Sequence, residues 1–284
     1  MRLRRRIAER LTGYRRIVVW GAGGLGHTAL MRWLPLSKIV AVIDSNPDRK
    51  GESIAGFAIA APGALAELDA DCVVICTSVY TEVLVQLRDV GFAGDRLYVY
   101  DTMLPADGSA PSHWERLCID LAATRNTDWL QLALLKPQVT VNVTFRLANA
   151  CTGVTLLWPL YALFYVLHAI VCVIFSIQLP LGTPAGPGLI FAHYGTIVFT
   201  SRARLGAFCT IYQGVTVGTN DSGEGPVIGD FVTIYAGAKV LGRSEIGSHS
   251  RVGANAVVLD LASGPYASIA GIPARIVSRK ALLV

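Results

Sequence analysis

Aliphatic residues recur at an interval of six in the last third of this chain, and that spacing restricts the fold more than any other feature. Ile228, Ile234, Val240, Ile246, Val252 and Val258 keep the interval without a break, and Leu205, Ile211 and Val217 keep it upstream. A short side chain stands four positions later, at Val232, Ala238, Ser244, Ser250 and Ala256. A strand repeats every second residue and a helix every 3.6, so neither explains the spacing. A period of six describes a parallel β-helix with three short faces per coil, in which each coil buries its apolar side only against its neighbours. The register slips by one residue between Val217 and Ile228, where Thr219–Pro226 (TNDSGEGP) is polar and Gly-rich. That composition predicts a loop leaving one edge, where solenoids often bind ligands.

The first hundred residues alternate in another way. Strands are expected at Arg16–Trp20, Lys38–Ile43, Cys72–Cys76 and Arg96–Tyr100, with helices at His27–Trp33 and Glu82–Val90. This βαβ order predicts a parallel sheet of Rossmann-like type. Gly21, Gly23 and Gly26 follow the first strand in a G-x-G-x-x-G turn, which lets backbone amides and a helix N-terminus approach a diphosphate. Asp44 ends the second strand, where a carboxylate accepts from a ribose hydroxyl. No second catalytic domain of dehydrogenase type follows. Three readings stay open: a nucleotide-sugar or dinucleotide ligand without redox chemistry, a fold kept for assembly or regulation, and a true dehydrogenase. His27 reads as a surface helix residue.

Charge is unevenly spread. The chain of 284 residues carries +5 overall, but residues 1–16 hold seven Arg against one Glu, leaving the remainder near neutral. Hydrophobic residues make up 52% of the chain, which excludes intrinsic disorder. No basic stripe with interleaved aromatics accompanies the arm, so nucleic acid is not an expected partner. From Leu147 to Ser201 there is no Asp, Glu, Lys or Arg at all. Within that stretch Thr152–Leu179 holds an apolar run about as long as a membrane span of ~20 residues. It reads as a helix packed on neighbouring chains, as a segment dipping into or lying at the membrane, or as a span, with His168 as a satisfied helix residue. The six cysteines show no spacing for zinc and read as reduced thiols in a cytoplasmic protein; no metal site is expected. Asp101–Ser112 reads as a linker, and His113–Leu135 as a helix burying Trp114, Leu117, Leu121, Trp129, Leu132 and Leu135. Three segments result: a Rossmann-like domain with its basic arm (1–103), a helical connector (104–179) and a β-helix (180–284).

Several stretches of the last segment resemble the hexapeptide-repeat acyltransferases, specifically serine acetyltransferases and their polysaccharide O-acetyltransferase relatives. They are Gly186–His193 (GPGLIFAH), Thr196–Thr200, Thr210–Gly218 (TIYQGVTVG), Ala236–Gly242 (AGAKVLG) and Ala270–Arg275 (AGIPAR), within a similarity running from Asp128 to Val277. The resemblance implies a left-handed β-helix, a homotrimer, and acetyl-CoA in a cleft between adjacent chains. It places His193 on the family's catalytic histidine, a role imidazole suits because an alcohol must lose a proton to attack a thioester. It places Ala236, Gly237, Ala254 and Arg275 along the CoA cleft, with Arg275 toward a phosphate. Lys239 and His249 read as solvated coil residues.

The sequence also departs from the serine enzymes. Ala192 stands where they carry an acid before the histidine, Gln178 replaces their earlier Asp, and Gly223–Gly225 (GEG) replaces their Asp-Arg-His segment. These losses turn the expected acceptor toward a sugar hydroxyl in polysaccharide biosynthesis, carried on a lipid-linked glycan. The alternatives are serine, a nucleotide-linked amino sugar acetylated on nitrogen, and a non-catalytic trimeric scaffold. The basic arm and the charge-free stretch together suggest a cytoplasmic enzyme in peripheral contact with the inner membrane.

Overall fold

The computed structural model describes residues 2–77, 80–105, 107–124, 137–152 and 154–279. The chain divides into two compact units, one up to Ala110 and the other beginning at Pro111.

In the first unit, helix α1 (Arg2–Arg10) turns Ile7 inward, fully buried, and leaves Arg4 and Arg5 exposed. Six strands follow: β1 (Ile17–Trp20), β2 (Ile39–Ile43), β3 (Ser53–Ile54), β4 (Phe57–Ala60), β5 (Cys72–Ile75) and β6 (Asp95–Tyr98). Their order across the sheet is β3-β4-β2-β1-β5-β6, all parallel except β3 against β4. Every residue of β1 and β5 is buried, which explains their unbroken apolar composition. Helices α2 (Gly24–Arg32) and α3 (Tyr80–Asp89) form the crossovers. The β3–β4 hairpin has no counterpart in the sequence-based expectation. Its turn places Ala55 and Gly56 at φ of 50° and 85°, and an alanine there hides a signal that Asn-Gly would have announced.

The second unit opens on helices α4 (His113–Ala123), α5 (Pro137–Ala150) and α6 (Trp158–Phe175). Ser112 and Glu115 form a capping box at the start of α4. Three faces of parallel strands follow. One contains Ile190–Phe191, Thr210–Ile211, Thr233–Ile234, Arg251–Val252 and Ala267–Gly271, closed by the antiparallel Ala274–Arg279. The second contains Ile177–Gln178, Ile197–Phe199, Thr216–Gly218, Lys239–Leu241 and Val257–Leu259. The third contains Arg204–Leu205, Val227–Ile228 and Glu245–Ile246. The sixfold aliphatics point into the lumen, with Ile211, Val217, Ile234, Val240, Val252 and Val258 fully buried, and the small residues between them are buried too.

A buried ion pair joins the helices to the first coil. Arg146 on α5 donates through Nε to Asp120 on α4 at 2.8 Å and through its other nitrogens to the Ala185 and Gly186 carbonyls. Asp120 also accepts from the Gly188 and Leu189 amides. Burial pushes the Asp120 carboxyl upward, and the guanidinium and both amides oppose it. A second Arg146 nitrogen also lies 3.4 Å from the other Asp120 oxygen, and four N–H donors around one carboxylate is a geometry the ionised form alone satisfies.

Two aromatic positions differ from expectation. Trp114 is exposed, because α4 turns Ile119, Asp120, Ala122 and Ala123 inward around the ion pair; Leu117 is buried and Leu121 half-buried. Trp129, Leu132 and Leu135 lie outside the described residues. His249 is not a solvated coil residue. It stacks between Phe231 (4.7 Å, 14°) and Tyr266 (4.9 Å, 10°), and Phe208 extends the column. All four residues sit at a left-handed φ of 55° to 60° on successive coils, a strained conformation that the ring stack holds.

Breaking the pair with Arg146→Met leaves a buried unpaired carboxylate and should cost about 3–5 kcal/mol in urea melts; adding Asp120→Leu removes that charge but orphans the Gly188 and Leu189 amides, so it should recover only part of the loss. Burial holds His168 and His249 below the ordinary imidazole value of 6.5. A depressed histidine contributes stability that is complete above the unfolded value and is lost as pH falls through the folded one. The melting temperature should therefore drop as pH falls below about 6.5. His249→Phe, which keeps the stack at a φ that Phe208 and Phe231 already tolerate, should reduce that drop.

Candidate active site

The turns that follow the first β-helix face form one continuous edge. Ala192, Tyr212, Tyr235 and Gly253 donate their amides to Ile211, Ile234, Val252 and Ile269 at 2.9, 3.0, 2.9 and 2.7 Å, so each turn lies on the next. His193, Gln213–Gly214, Ala236–Gly237 and Ala254–Asn255 therefore stack in a column along the coil axis. The resemblance assigns His193, Ala236, Gly237 and Ala254 from distant stretches of the sequence; the fold brings them to one edge.

The first turn of this column is longer than the others. Seven residue steps separate Phe191 from Val198, against five between their partners Ile211 and Thr216, and five again on the next two coils. The two extra residues push His193 and Tyr194 outward, where both are exposed. Gly195 and Thr196 return the chain at φ of 109° and 50°. The His193 ring lies 6.0 Å from Tyr212, which packs at a tilt of 35° against Tyr235 at 5.2 Å. Among the described residues no carboxylate hydrogen-bonds the His193 imidazole, in keeping with Ala192 beside it. Sequence reasoning missed the tyrosine column and the long turn. The signal was present, since inward Phe191 and Phe199 are eight residues apart rather than six.

The residues higher on the edge are held differently. Gly237 has φ +76°, which favours glycine whether or not a ligand is bound, and a Cβ there would fall 2.0 Å from Asn255 Oδ1. Ala236 is half-buried and Ala254 exposed. Lys239 is not a solvated coil residue: its Nζ donates to the Gly214 carbonyl at 2.5 Å and closes the edge. Arg275 lies exposed on the terminal hairpin opposite Ala270. That hairpin is four to five strand spacings from His193, roughly 20 Å along the axis. A ligand touching both ends is long and thin.

The polar loop 219–226 does not join this edge within one chain. It leaves after Thr216–Gly218, at the far end of the second face, whereas His193 precedes that face. Asn220 and the Arg243 amide bind Asp260, and Glu224 pairs with Arg243 at 3.2 Å, which ties the loop down.

In the first unit, Gly21 (φ +113°) and Gly26 are fixed by packing. A Cβ on Gly21 would meet the Cys76 carbonyl at 2.7 Å, and one on Gly26 the Gly21 carbonyl at 1.7 Å. Gly23 begins α2 at an ordinary φ of −70°, and a Cβ there meets nothing. Asp44 accepts from the Ala22 amide at 2.7 Å and from the Asn46 amide at 2.8 Å, so its carboxylate closes the glycine turn. His27 is exposed, as expected. Among the described residues no cluster suits a metal ion, and all six cysteines are free thiols.

This edge on a three-faced parallel β-helix defines a class. A family model described as bacterial transferase hexapeptide (six repeats) matches residues 225–260, and one described as C2185-like, N-terminal, matches residues 13–98. The serine acetyltransferase of Synechococcus elongatus is 36% identical over 113 residues, 38% of this chain and 46% of that protein. That of Staphylococcus aureus is 40% identical over 112 residues, 38% of this chain and 52% of that one. The chain thus spans about half the length of the curated relatives it matches. Among solved structures, soybean serine acetyltransferase complexed with serine shares 30% identity at a TM-score of 0.50, over 64% of this chain and 77% of that one. The chain belongs to the hexapeptide-repeat transferases, the family that contains these serine acetyltransferases. Their structures and repeats fit the left-handed hand expected of the β-helix. The description matched by the first unit names no dinucleotide-binding family, and gives the Rossmann-like expectation no support.

Gly26→Ala should lower stability by well over ~1 kcal/mol because its Cβ strikes backbone, whereas Gly23→Ala should leave the melting curve within about 0.5 kcal/mol of the parent. Thermal melts of the two variants side by side check this.

Proposed function

We propose that this protein transfers an acetyl group from acetyl-CoA to a hydroxyl, with His193 as general base. The observation that carries the reading is the lengthened turn that presents His193 at the foot of a column of small residues. The imidazole takes the proton of the acceptor hydroxyl as its oxygen attacks the thioester carbonyl carbon. The tetrahedral oxyanion collapses, the C–S bond breaks, and the sulfur leaves with the proton held on the imidazolium. An acetyl ester and free CoA result, with no covalent enzyme intermediate. Ala236, Gly237 and Ala254 would lie along the pantetheine arm, and Arg275 would meet a phosphate. Loop 219–226 reaches a His193 edge only if it is supplied by a second copy, which agrees with a homotrimer whose clefts lie between chains. Free thiols fit a cytoplasmic enzyme.

The relatives favour serine as the acceptor, since those found to be similar are serine acetyltransferases. The sugar hydroxyl expected from the sequence gains nothing from them. One observation still favours it: the His193 turn carries Ala192, so the turn itself offers no carboxylate to an amino acid's ammonium group. For the first unit, the nucleotide reading rests on Gly23, where an added Cβ would meet nothing, unlike Gly21 and Gly26.

His193→Ala should lower acetyl transfer by about 10²–10⁴-fold while CoA still binds by calorimetry. Mass spectrometry after incubation with acetyl-CoA and free serine, UDP-sugars or lipid-linked oligosaccharides names the acceptor. Unchanged turnover in the variant refutes the role of His193.

A further inference from the structure

Helix α6 is apolar on nearly every side, yet it buries little of itself. It belongs to a 21-residue apolar segment, Thr155–Phe175, of mean hydropathy 2.1, with only 6% of its most apolar window buried. Trp158, Leu163, Val166, Ile170, Val173 and Ile174 are all exposed, Val173 by 80%. Just before the helix, Leu156 is 89% exposed. No charged residue stands anywhere from 147 to 201.

Two facts decide what can cover this surface. The first is its width. At 100° per residue, the exposed apolar positions from Tyr165 round to Leu160 sweep roughly 220° of the helix. A neighbouring helix or a second copy of this chain covers a stripe of about 100°, so most of the surface would still face water in an oligomer. A fluid apolar medium covers the whole arc. The second fact is that α6 cannot turn away from its own domain. His168, buried on the opposite side, is held through both ring nitrogens. The Leu179 carbonyl, 2.7 Å from Nε2, can only accept, so Nε2 carries the proton. Nδ1 then accepts from the Thr144 hydroxyl of α5 at 3.0 Å. Immediately after the helix, Ile177–Gln178 is already hydrogen-bonded into the β-helix. A helix pinned at its middle and its end to a folded domain cannot cross a bilayer.

We infer that α6 is a monotopic membrane-docking element: it lies in the plane of the bilayer with Leu156, Leu163, Ile170 and Val173 among the acyl chains, while its His168 side stays packed on the domain. Trp158 and Tyr165, exposed on the N-terminal half of the helix, are side chains suited to the interfacial level. The Phe175 ring at the other end lies 6.2 Å from Tyr194, next to His193, so docking brings the candidate active site to the membrane surface. The inference does not depend on the identity of the acceptor or on His193 being the base. The arginines of α1 are a separate source of attraction, to anionic headgroups only.

Flotation of the full chain with vesicles tests it. The protein should float with vesicles of phosphatidylcholine alone, and go on doing so in high salt, because acyl contact is not screened. Leu163→Glu, Ile170→Glu and Val173→Glu combined place three charges at exposed positions and should cut partitioning at least ~10-fold with an unchanged circular dichroism spectrum. Brominated lipids should quench Trp158 fluorescence, with Trp158→Phe removing the quenched component, which reads insertion independently of the triple variant. Flotation only with phosphatidylglycerol vesicles, abolished by salt, assigns the contact to α1 and overturns the proposal. So does a parent protein that ignores vesicles and whose oligomer, by light scattering, falls apart in the triple variant, since α6 is then a subunit interface.

Discussion

No coil of a parallel β-helix can bury its own apolar residues. Each presents one inward side chain per face, and that side chain meets carbon only because the coils above and below supply it. The fully buried Ile211, Ile234 and Val252 on one face, and Val217, Val240 and Val258 on another, stand directly over one another for this reason. The same stacking holds Phe208, Phe231, His249 and Tyr266 in left-handed backbone conformations, and Gly237 adopts that conformation too. It also produces the candidate site, since residues far apart in sequence become neighbours along an edge wherever successive turns share a register.

A column of this kind needs a beginning, and here the helices provide it. The guanidinium of Arg146 and the carboxylate of Asp120 satisfy each other and also the carbonyls and amides of residues 185–189. Those backbone groups enter the first coil, four to eight residues before His193. A pair this deeply buried contributes less to net stability than its contacts suggest, because desolvation offsets most of the attraction. Its effect is positional: it fixes the direction in which the first coil leaves the helices.

The departures from expectation share a physical cause. Trp114 was placed in the core by its helical spacing, but a polar pair at Asp120 rotates the buried side of α4. Lys239 and His249 look like surface residues because their types are polar. In the fold the lysine finds a carbonyl and the histidine finds two rings, partners that come from other coils. Asp44 sits where a ribose-binding carboxylate belongs, yet its oxygens hold the Ala22 and Asn46 amides, a contact invisible in the spacing of the motif.

By itself the sequence determined the period-six solenoid, its inward aliphatics, the βαβ alternation before it and His193 as the residue to examine. These follow from local repetition, where one residue type at a fixed interval has a single geometric meaning. Tertiary structure decided the rest. The alignment of Ala236, Gly237 and Ala254 above His193 depends on register between coils. The two-residue lengthening that pushes His193 outward is measured only against the turns stacked on it. Hydropathy alone left the charge-free helix free to pack on a neighbouring chain, span or lie on a membrane. The two hydrogen bonds of His168 tie it to its own domain, because a buried imidazole must satisfy both ring nitrogens and the partners lie on different elements.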